Sequence, residues 1–262
     1  MKNVRFLIIF PDIHGRDFWR PVVGKYKDNT EYGFIFLGDY VDPYPDIDGI
    51  SEDESFYNLN ELSTAVLDHP RTVMLLGNHD WHYMPWMRGE GGCRRSRKYF
   101  DSLSEFFYRN FDRFDIACSH TISDGRRYLF THAGVDSMWA RQLAASIYAD
   151  SNFLRFYDAA ELNSLKTASD VRRSMLWRIS AVRGGGDRYA SCLWSGLGDM
   201  IYDSTQLRID TATHPEFAAV PYQVFGHSYS SRPMITDRFA MLDCKKPFLL
   251  DCLTGSIAEM TE

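Results

Sequence analysis

The sequence predicts an α+β fold with a helical insertion at about residues 137–213. Three observations carry that prediction. Short uncharged apolar runs recur along the chain, each too brief for a helix and closed by turn residues. Segments of helical period lie between the early runs. Each early run also ends in a cluster of Asp, Asn or His, and in open sheets ligand sites lie at the carboxyl ends of strands. The chain has 262 residues, enough to bury a full core without a disulfide or metal staple, and is read as one domain over 1–262.

Val4 to Phe10 is the first strand and runs into Pro11-Asp12-Ile13-His14-Gly15. A helix is expected from about Asp17 to Tyr26, with Pro21 near its first turn. Phe34 to Leu37 is a second buried strand closed by Gly38-Asp39, and Asp42 to Gly49, with two prolines, is expected to be loop. Asp53 to Asp68 is a helix candidate with Phe56, Leu59, Leu62 and Val66 in register. Thr72 to Leu76 is a third strand, closed by Gly77-Asn78-His79-Asp80. Asp115 to Ile122 and Arg127 to Thr131 read as a hairpin around Ser123-Asp124-Gly125, whose second strand ends in His132-Ala133-Gly134. Ser137 to about Ser180 is mostly helical in pattern, and Arg183 to Arg188 is a Gly-rich loop. Gln223 to Phe225 is a strand ending in Gly226-His227-Ser228, followed by short strand candidates at 234–236, 239–242 and 248–250.

Composition excludes several functional classes. The formal charge is −6, which argues against a general nucleic-acid coat or a polybasic membrane binder, since both need a cationic field. With 45% hydrophobic and 24% charged residues, wholesale disorder is excluded. The five cysteines are scattered, with no C-x-x-C pair, and are expected to be reduced thiols. The first apolar run is too short for a signal peptide and no stretch reaches a membrane span, so a cytoplasmic location is expected.

The ligand-grade residues at the strand ends are Asp12, His14, Asp39, Asn78, His132 and His227. One Asp or Asn at a strand end is ordinary turn chemistry. Six in a repeated strand–Gly–ligand pattern point to metal. Imidazole, carboxylate and amide oxygen together suit divalent Mn, Fe, Zn or Co, with Mn favoured, rather than Ca or Mg. A carboxylate such as Asp39 can bridge two cations, and such a pair clamps a phosphorus centre for in-line attack.

Five blocks occur in order: Asp-x-His-Gly at 12–15, Gly-Asp-Tyr-Val-Asp at 38–42, Gly-Asn-His-Asp at 77–80, His-Ala-Gly at 132–134 and Gly-His-Ser at 226–228. In these the chain resembles the calcineurin-like metallophosphoesterase superfamily, on the branch of the phosphoprotein phosphatases and diadenosine tetraphosphatases. The resemblance implies a four-layer αββα sandwich with two divalent metal ions. Asp12 and His14 would hold the first metal, Asp39 would bridge, and Asn78, His132 and His227 would hold the second. His79 would be the catalytic general acid, with Asp42 behind it fixing its tautomer, and Asp80 would steady the loop.

Three positions depart from the family pattern. Pro11 stands where Gly is usual. Tyr229 stands where some members have a further histidine, leaving the first site to be completed by water. Pro43 stands where the phosphoprotein phosphatases carry a phosphate-gripping Arg. Arg88, Arg94, Arg95, Arg97, Arg183 and Arg188 are the candidates to replace it. The expected function is a phosphatase acting on phosphomonoesters or phosphoproteins by attack of a metal-bound hydroxide. Its partners would be a phosphorylated small molecule, nucleotide or phosphopeptide, not nucleic acid. A nucleotide or dinucleoside polyphosphate hydrolase is the alternative, and a metal-free binding scaffold is a third reading that predicts lost ligands.

Overall fold

The computed structural model describes residues 4–84, 94–149, 151–167 and 189–260. Two sheets face one another. In the first, β1 (Phe6–Phe10), β2 (Tyr32–Phe36), β3 (Thr72–Leu75) and β4 (Phe114–Asp115) run parallel. β10 (Phe248–Asp251) and β11 (Ile257–Glu259) extend it antiparallel beyond β1. In the second, β6 (Arg127–Thr131), β7 (Tyr222–Phe225) and β9 (Phe239–Met241) run parallel, flanked by β5 (Ala117–Thr121) and β8 (Met234–Ile235) as antiparallel edges.

β1 is buried on both faces, which is why it reads as an unbroken apolar run. Leu7 and Ile9 point between the sheets with Ile35, Leu37 and Leu75, against Phe130, Val224, Ala240 and Leu242 of the second sheet. Ile8 and Phe10 point the other way, with Phe34 and Phe36, into a helical layer. That layer is α1 (Trp19–Tyr26), α3 (Glu52–Val66) and α5 (Phe100–Arg109), supplying Trp19, Val23, Leu59, Leu62 and Phe107. The outer face of the second sheet is covered by α6 (Ser137–Tyr148), α7 (Ala159–Thr167) and α8 (Leu197–Thr211). This is the expected four-layer sandwich. α3 starts where the sequence signals a start, with Ser51 and Glu54 closing a capping box.

Some elements differ from expectation. The segment expected as loop between Asp42 and Gly49 holds one helical turn, α2 (Pro45–Asp48): Pro45 at its start is pre-set for a helix and Gly49 ends it at φ 67°. The proposed hairpin does not begin at Asp115. Asp115 belongs to β4 of the first sheet, and the chain changes sheets at Ile116. There the Asn163 side chain accepts from the Ile116 and Ala117 amides (2.7 and 3.1 Å) and donates to Ala117 O. The side chain replaces a ladder at the crossing, so the apolar run gives no sign of it. α6 stops at Ala149, which takes φ 49°, and a 3₁₀ turn at Phe153–Tyr157 separates it from α7. The stretch expected to be helical to Ser180 and the loop at 183–188 lie outside the described residues. Neither α5 nor β11 was expected.

Candidate metal centre

Register decides which loops meet. β1 and β2 pair Phe10 with Phe36, and Leu37 N then donates to Phe10 O (2.9 Å), so Asp12 and Asp39 leave the sheet side by side. His14 N reaches Asp39 O at 2.7 Å. β6 and β7 pair Phe130 with Val224, and Gly226 N donates to His132 O (2.8 Å). All six sequence-predicted ligands converge on one cleft edge, where a cavity of about 670 Å³ is lined by His14, Asp39, Asn78, His79, Trp194 and His227 among others.

α4 (Asn78–Trp81) turns the β3 loop back under this edge. Asp80 is buried there and accepts from Asp39 N (2.7 Å), Gly77 N (2.8 Å) and Tyr40 N (2.9 Å), which locks the second and third loops together. Burial still pushes its carboxyl up to about 7. Four of the side chains expected at the site from sequence stand on left-handed backbone: His14 (φ 44°), Asp39 (52°), Asp42 (61°) and His227 (65°). Non-glycine residues rarely adopt that region, and strain of this kind concentrates at sites.

Asp39 Oδ2 lies between two imidazoles, 3.6 Å from His14 Nε2 and 3.5 Å from His132 Nε2. Its Oδ1 accepts from His79 N (2.9 Å). The outer nitrogens of both imidazoles are taken: His14 Nδ1 is 2.9 Å from Val41 O and His132 Nδ1 is 2.9 Å from Leu37 O. A carbonyl can only accept, so each Nε2 turns a lone pair to the cleft, an arrangement typical of metal-ligating histidine. Two trios therefore have ligand atoms within 4.8 Å of one another, Asp39–His132–His227 and His14–Asp39–His79. Asp12 was expected in the second trio. It lies just outside, its Oδ2 4.0 Å from His14 Nε2, while its Oδ1 accepts from His227 N (2.9 Å).

The donor set fits divalent cations. His132 Nε2 faces Asn78 Oδ1 at 2.8 Å, and His227 Nδ1 is 3.0 and 3.2 Å from those two atoms. Lone pairs of an imidazole and an amide oxygen converge with a carboxylate close by, a donor set that suits a cation. Burial explains the proton affinities. It pushes the Asp12 carboxyl up to about 6 and Asp39 well above the carboxylate range, and drops His132 to about 3 and His14 well below neutral. These two imidazoles are thus uncharged at pH 7, with the proton on Nδ1 and the lone pair on Nε2. Two glycines make room. A Cβ on Gly77 would lie 2.1 Å from Asp39 Oδ1, and one on Gly226 2.2 Å from Asp12 Oδ1.

His79 Nδ1 is 2.9 Å from Asp42 Oδ2, and Tyr83 Oη donates to Asp42 Oδ1 at 2.5 Å. Burial pushes the Tyr83 hydroxyl well up, so it stays a donor. Sequence reasoning missed Tyr83, although it follows His79 by one helical turn. It also missed Asp243, a buried cleft residue after the apolar run 239–242, whose carboxyl burial pushes well up. Of the arginine candidates, Arg94 lines this cleft. Its guanidinium lies 3.6 Å over the Tyr44 ring and donates to Pro43 O and to Asp42 O (2.8 Å). Arg95 and Arg97 line a neighbouring cavity instead. Arg88, Arg183 and Arg188 lie outside the described residues.

A family model for calcineurin-like phosphoesterases matches residues 7–228. Among solved structures, the chain is similar to a cold-active protein-tyrosine phosphatase of a psychrophilic Shewanella species. The TM-score is 0.52 at 14% identity, covering 100% of this chain and 83% of that one. It is also similar to a protein serine/threonine phosphatase from Saccharomyces cerevisiae, with a TM-score of 0.47 at 12% identity, covering 100% and 81%. At 14% identity the first of these likenesses speaks to fold alone. No curated protein matches the chain. Among the described residues, no helix is long and apolar enough to cross a membrane.

Proposed function

The chain belongs to the calcineurin-like phosphoesterase family, and from that premise we propose that it is a dinuclear, metal-dependent phosphatase of phosphomonoesters, free or on a protein. The observation that carries this reading is Asp39 Oδ2, held between the Nε2 atoms of His14 and His132. In this reading Asp12, His14 and Asp39 hold one divalent cation and Asp39, Asn78, His132 and His227 the other. Asp12 is preferred to His79 in the first set because Asp42 and Tyr83 already fix His79 for another task. The fold would be one domain over 1–262, residues 137–213 being an insertion whose helices back the sheet that carries His132 and His227.

Two cations held there, with manganese favoured, would supply a nucleophile at neutral pH and would neutralise charge growing on phosphorus. The chain's own groups do the rest. In this reading Asp42 accepts from His79 Nδ1–H and fixes the ring, so that His79 Nε2 is placed to give a proton to the leaving oxygen. Tyr83 and Ser96 N, 3.1 Å from Asp42 Oδ1, stop that carboxylate from turning. Arg94 binds phosphoryl oxygens at the rim. It takes over the task of the arginine that Pro43 lacks, because its stack on Tyr44 and two backbone carbonyls leave further N–H groups for an anion.

The cleft favours phosphate over a nucleobase. The ring of Tyr44 carries the Arg94 guanidinium on one face, and the Lys245 ammonium lies 4.9 Å from the Tyr229 centroid, so cations stand beside both cleft tyrosines, which supports this reading. A panel of aryl phosphates, phosphopeptides, nucleotides and dinucleoside polyphosphates with manganese tests the reading. Turnover of p-nitrophenyl phosphate that EDTA abolishes is expected. A preference for dinucleoside polyphosphates would overturn the substrate assignment. Metal-independent turnover, or none with any metal, would overturn the reaction.

A further inference from the structure

The loop after β9 brings one more carboxylate to the cleft. β9 runs parallel to β7 with Phe225 opposite Met241, and Leu242 N donates to Phe225 O (2.9 Å). The chain leaving β9 therefore emerges beside Gly226 and His227. Ser230 N, donating to Asp243 O at 2.9 Å, holds the two loops together. The Asp243 carboxyl lines the cleft at 4% exposure.

Asp243 differs from its acidic neighbours in having no partner. Asp12 accepts from His227 N, Asp39 from His79 N, and Asp42 from Tyr83 and Ser96. Asp48 binds Arg16 (2.7 Å) and Lys245 (2.7 Å), so the two cations nearest Asp243 are already engaged. The Asp243 carboxylate accepts no hydrogen bond and makes no ion pair among the described residues. Its carboxyl group lines the cleft wall without a partner among the described residues, which leaves its oxygens open to a ligand in the cleft. The Gly226–His227 loop beside it is the one that meets Asp12 Oδ1, so two carboxylates face that side of the cleft and a positive ligand suits them. In that reading the first cation would have only Asp12, His14 and Asp39 from the protein, fewer groups than a divalent transition metal takes.

This inference rests on the two-cation reading above. We propose that Asp243 is a further carboxylate of the cation site on the Asp12 and His14 side, and sets that site's affinity for a divalent transition metal. It accounts for burial without a partner, and for the placing of Arg16 and Lys245 on Asp48 rather than on Asp243.

The test uses full-length, metal-stripped protein titrated with manganese by calorimetry and followed by thermal unfolding, for wild type, Asp243→Asn and Asp243→Ser, with Asp39→Asn as control. Wild type should take up two equivalents and Asp39→Asn should lose both. Each Asp243 variant should keep one equivalent at wild-type affinity and bind the other about 10–100-fold more weakly. Metal-free Asp243→Asn should melt no lower than metal-free wild type, and the order should reverse with saturating manganese. That reversal separates a metal-shell role from a structural one, which would lower both melts. Two equivalents at wild-type affinity in both variants would overturn the inference and leave the two-cation reading standing. So would loss of both equivalents in both variants. Failure of wild type to bind two equivalents would overturn the underlying reading itself.

Discussion

Gly77→Ala tests the site through space rather than charge. Gly77 has φ −94°, which alanine adopts freely, so any effect comes from the added methyl. That methyl would lie 2.1 Å from Asp39 Oδ1 and 2.5 Å from Asp39 N. Real Cβ atoms essentially never come closer than 3.0 Å to another heavy atom, so Asp39 must move by at least about 1 Å, and backbone has to move with it. Metal–ligand distances tolerate about 0.2 Å. The forced shift is several times that tolerance, so manganese uptake should fall from two equivalents to none under conditions that saturate wild type. Overpacking should also cost about 1–3 kcal/mol of stability. Gly226→Ala is the companion variant. Its methyl would lie 2.2 Å from Asp12 Oδ1, so it should impair one equivalent and spare the other. Calorimetric titration and elemental analysis read both. If Gly77→Ala binds two equivalents with unchanged affinity, Asp39 is not shared between the two cations and the role given to it fails.

Other outcomes follow from the same geometry. His79→Ala should keep both metals and lose about 10²–10⁴-fold in kcat, with a smaller loss for esters with good leaving groups. Loss of metal in that variant would show that His79 is a ligand. Tyr83→Phe should reduce kcat more mildly than His79→Ala and leave metal content unchanged; an unaltered kcat would remove Tyr83 from the relay. Arg94→Ala should raise KM for phosphomonoesters, and Arg94→Lys should not restore it, because an ammonium cannot span two carbonyls and stack on Tyr44; full rescue by lysine would show that charge alone matters. Asp203 gives a pH test far from the cleft. Burial pushes its carboxyl from 3.8 up to about 7, while Ser137 N and Oγ donate to it. Its folded pKa is raised, so its contribution to stability is full below about pH 4 and is lost as pH rises towards 7. Asp203→Asn keeps an acceptor for Ser137 and should be more stable than wild type at pH 8 by up to about 4 kcal/mol, with the gain vanishing near pH 4. Urea unfolding at the two pH values measures it, and equal stability at pH 8 would contradict the stated environment.

Much of the site is legible in the sequence because its parts are local. A strand that is buried on both faces must be apolar along its length, and the turn after it can hold a polar group only at its end. That is why Asp12, His14, Asp39, Asn78, His132 and His227 stand out beside their glycines. Asp243 follows the same rule after 239–242 but lacks a glycine neighbour, and was passed over. Tyr83 was passed over because a tyrosine one turn beyond a histidine is ordinary helix content until Asp42 is known to stand beside both. Among the arginines, sequence offered several candidates, and only the path of the chain past residue 94 brings one guanidinium onto Tyr44 and the Pro43 carbonyl.

By itself, then, the sequence determined the α+β class, the strand-end chemistry and the family. Tertiary structure decided which groups touch. His227 N meets Asp12 Oδ1 across 215 residues of chain, and the two imidazoles that flank Asp39 come from different sheets. Pattern fixes which face of a strand is buried, over a few residues. Contact between distant strand ends depends on the pairing register within each sheet and on how the two sheets stack, and those are set by packing summed over the whole core.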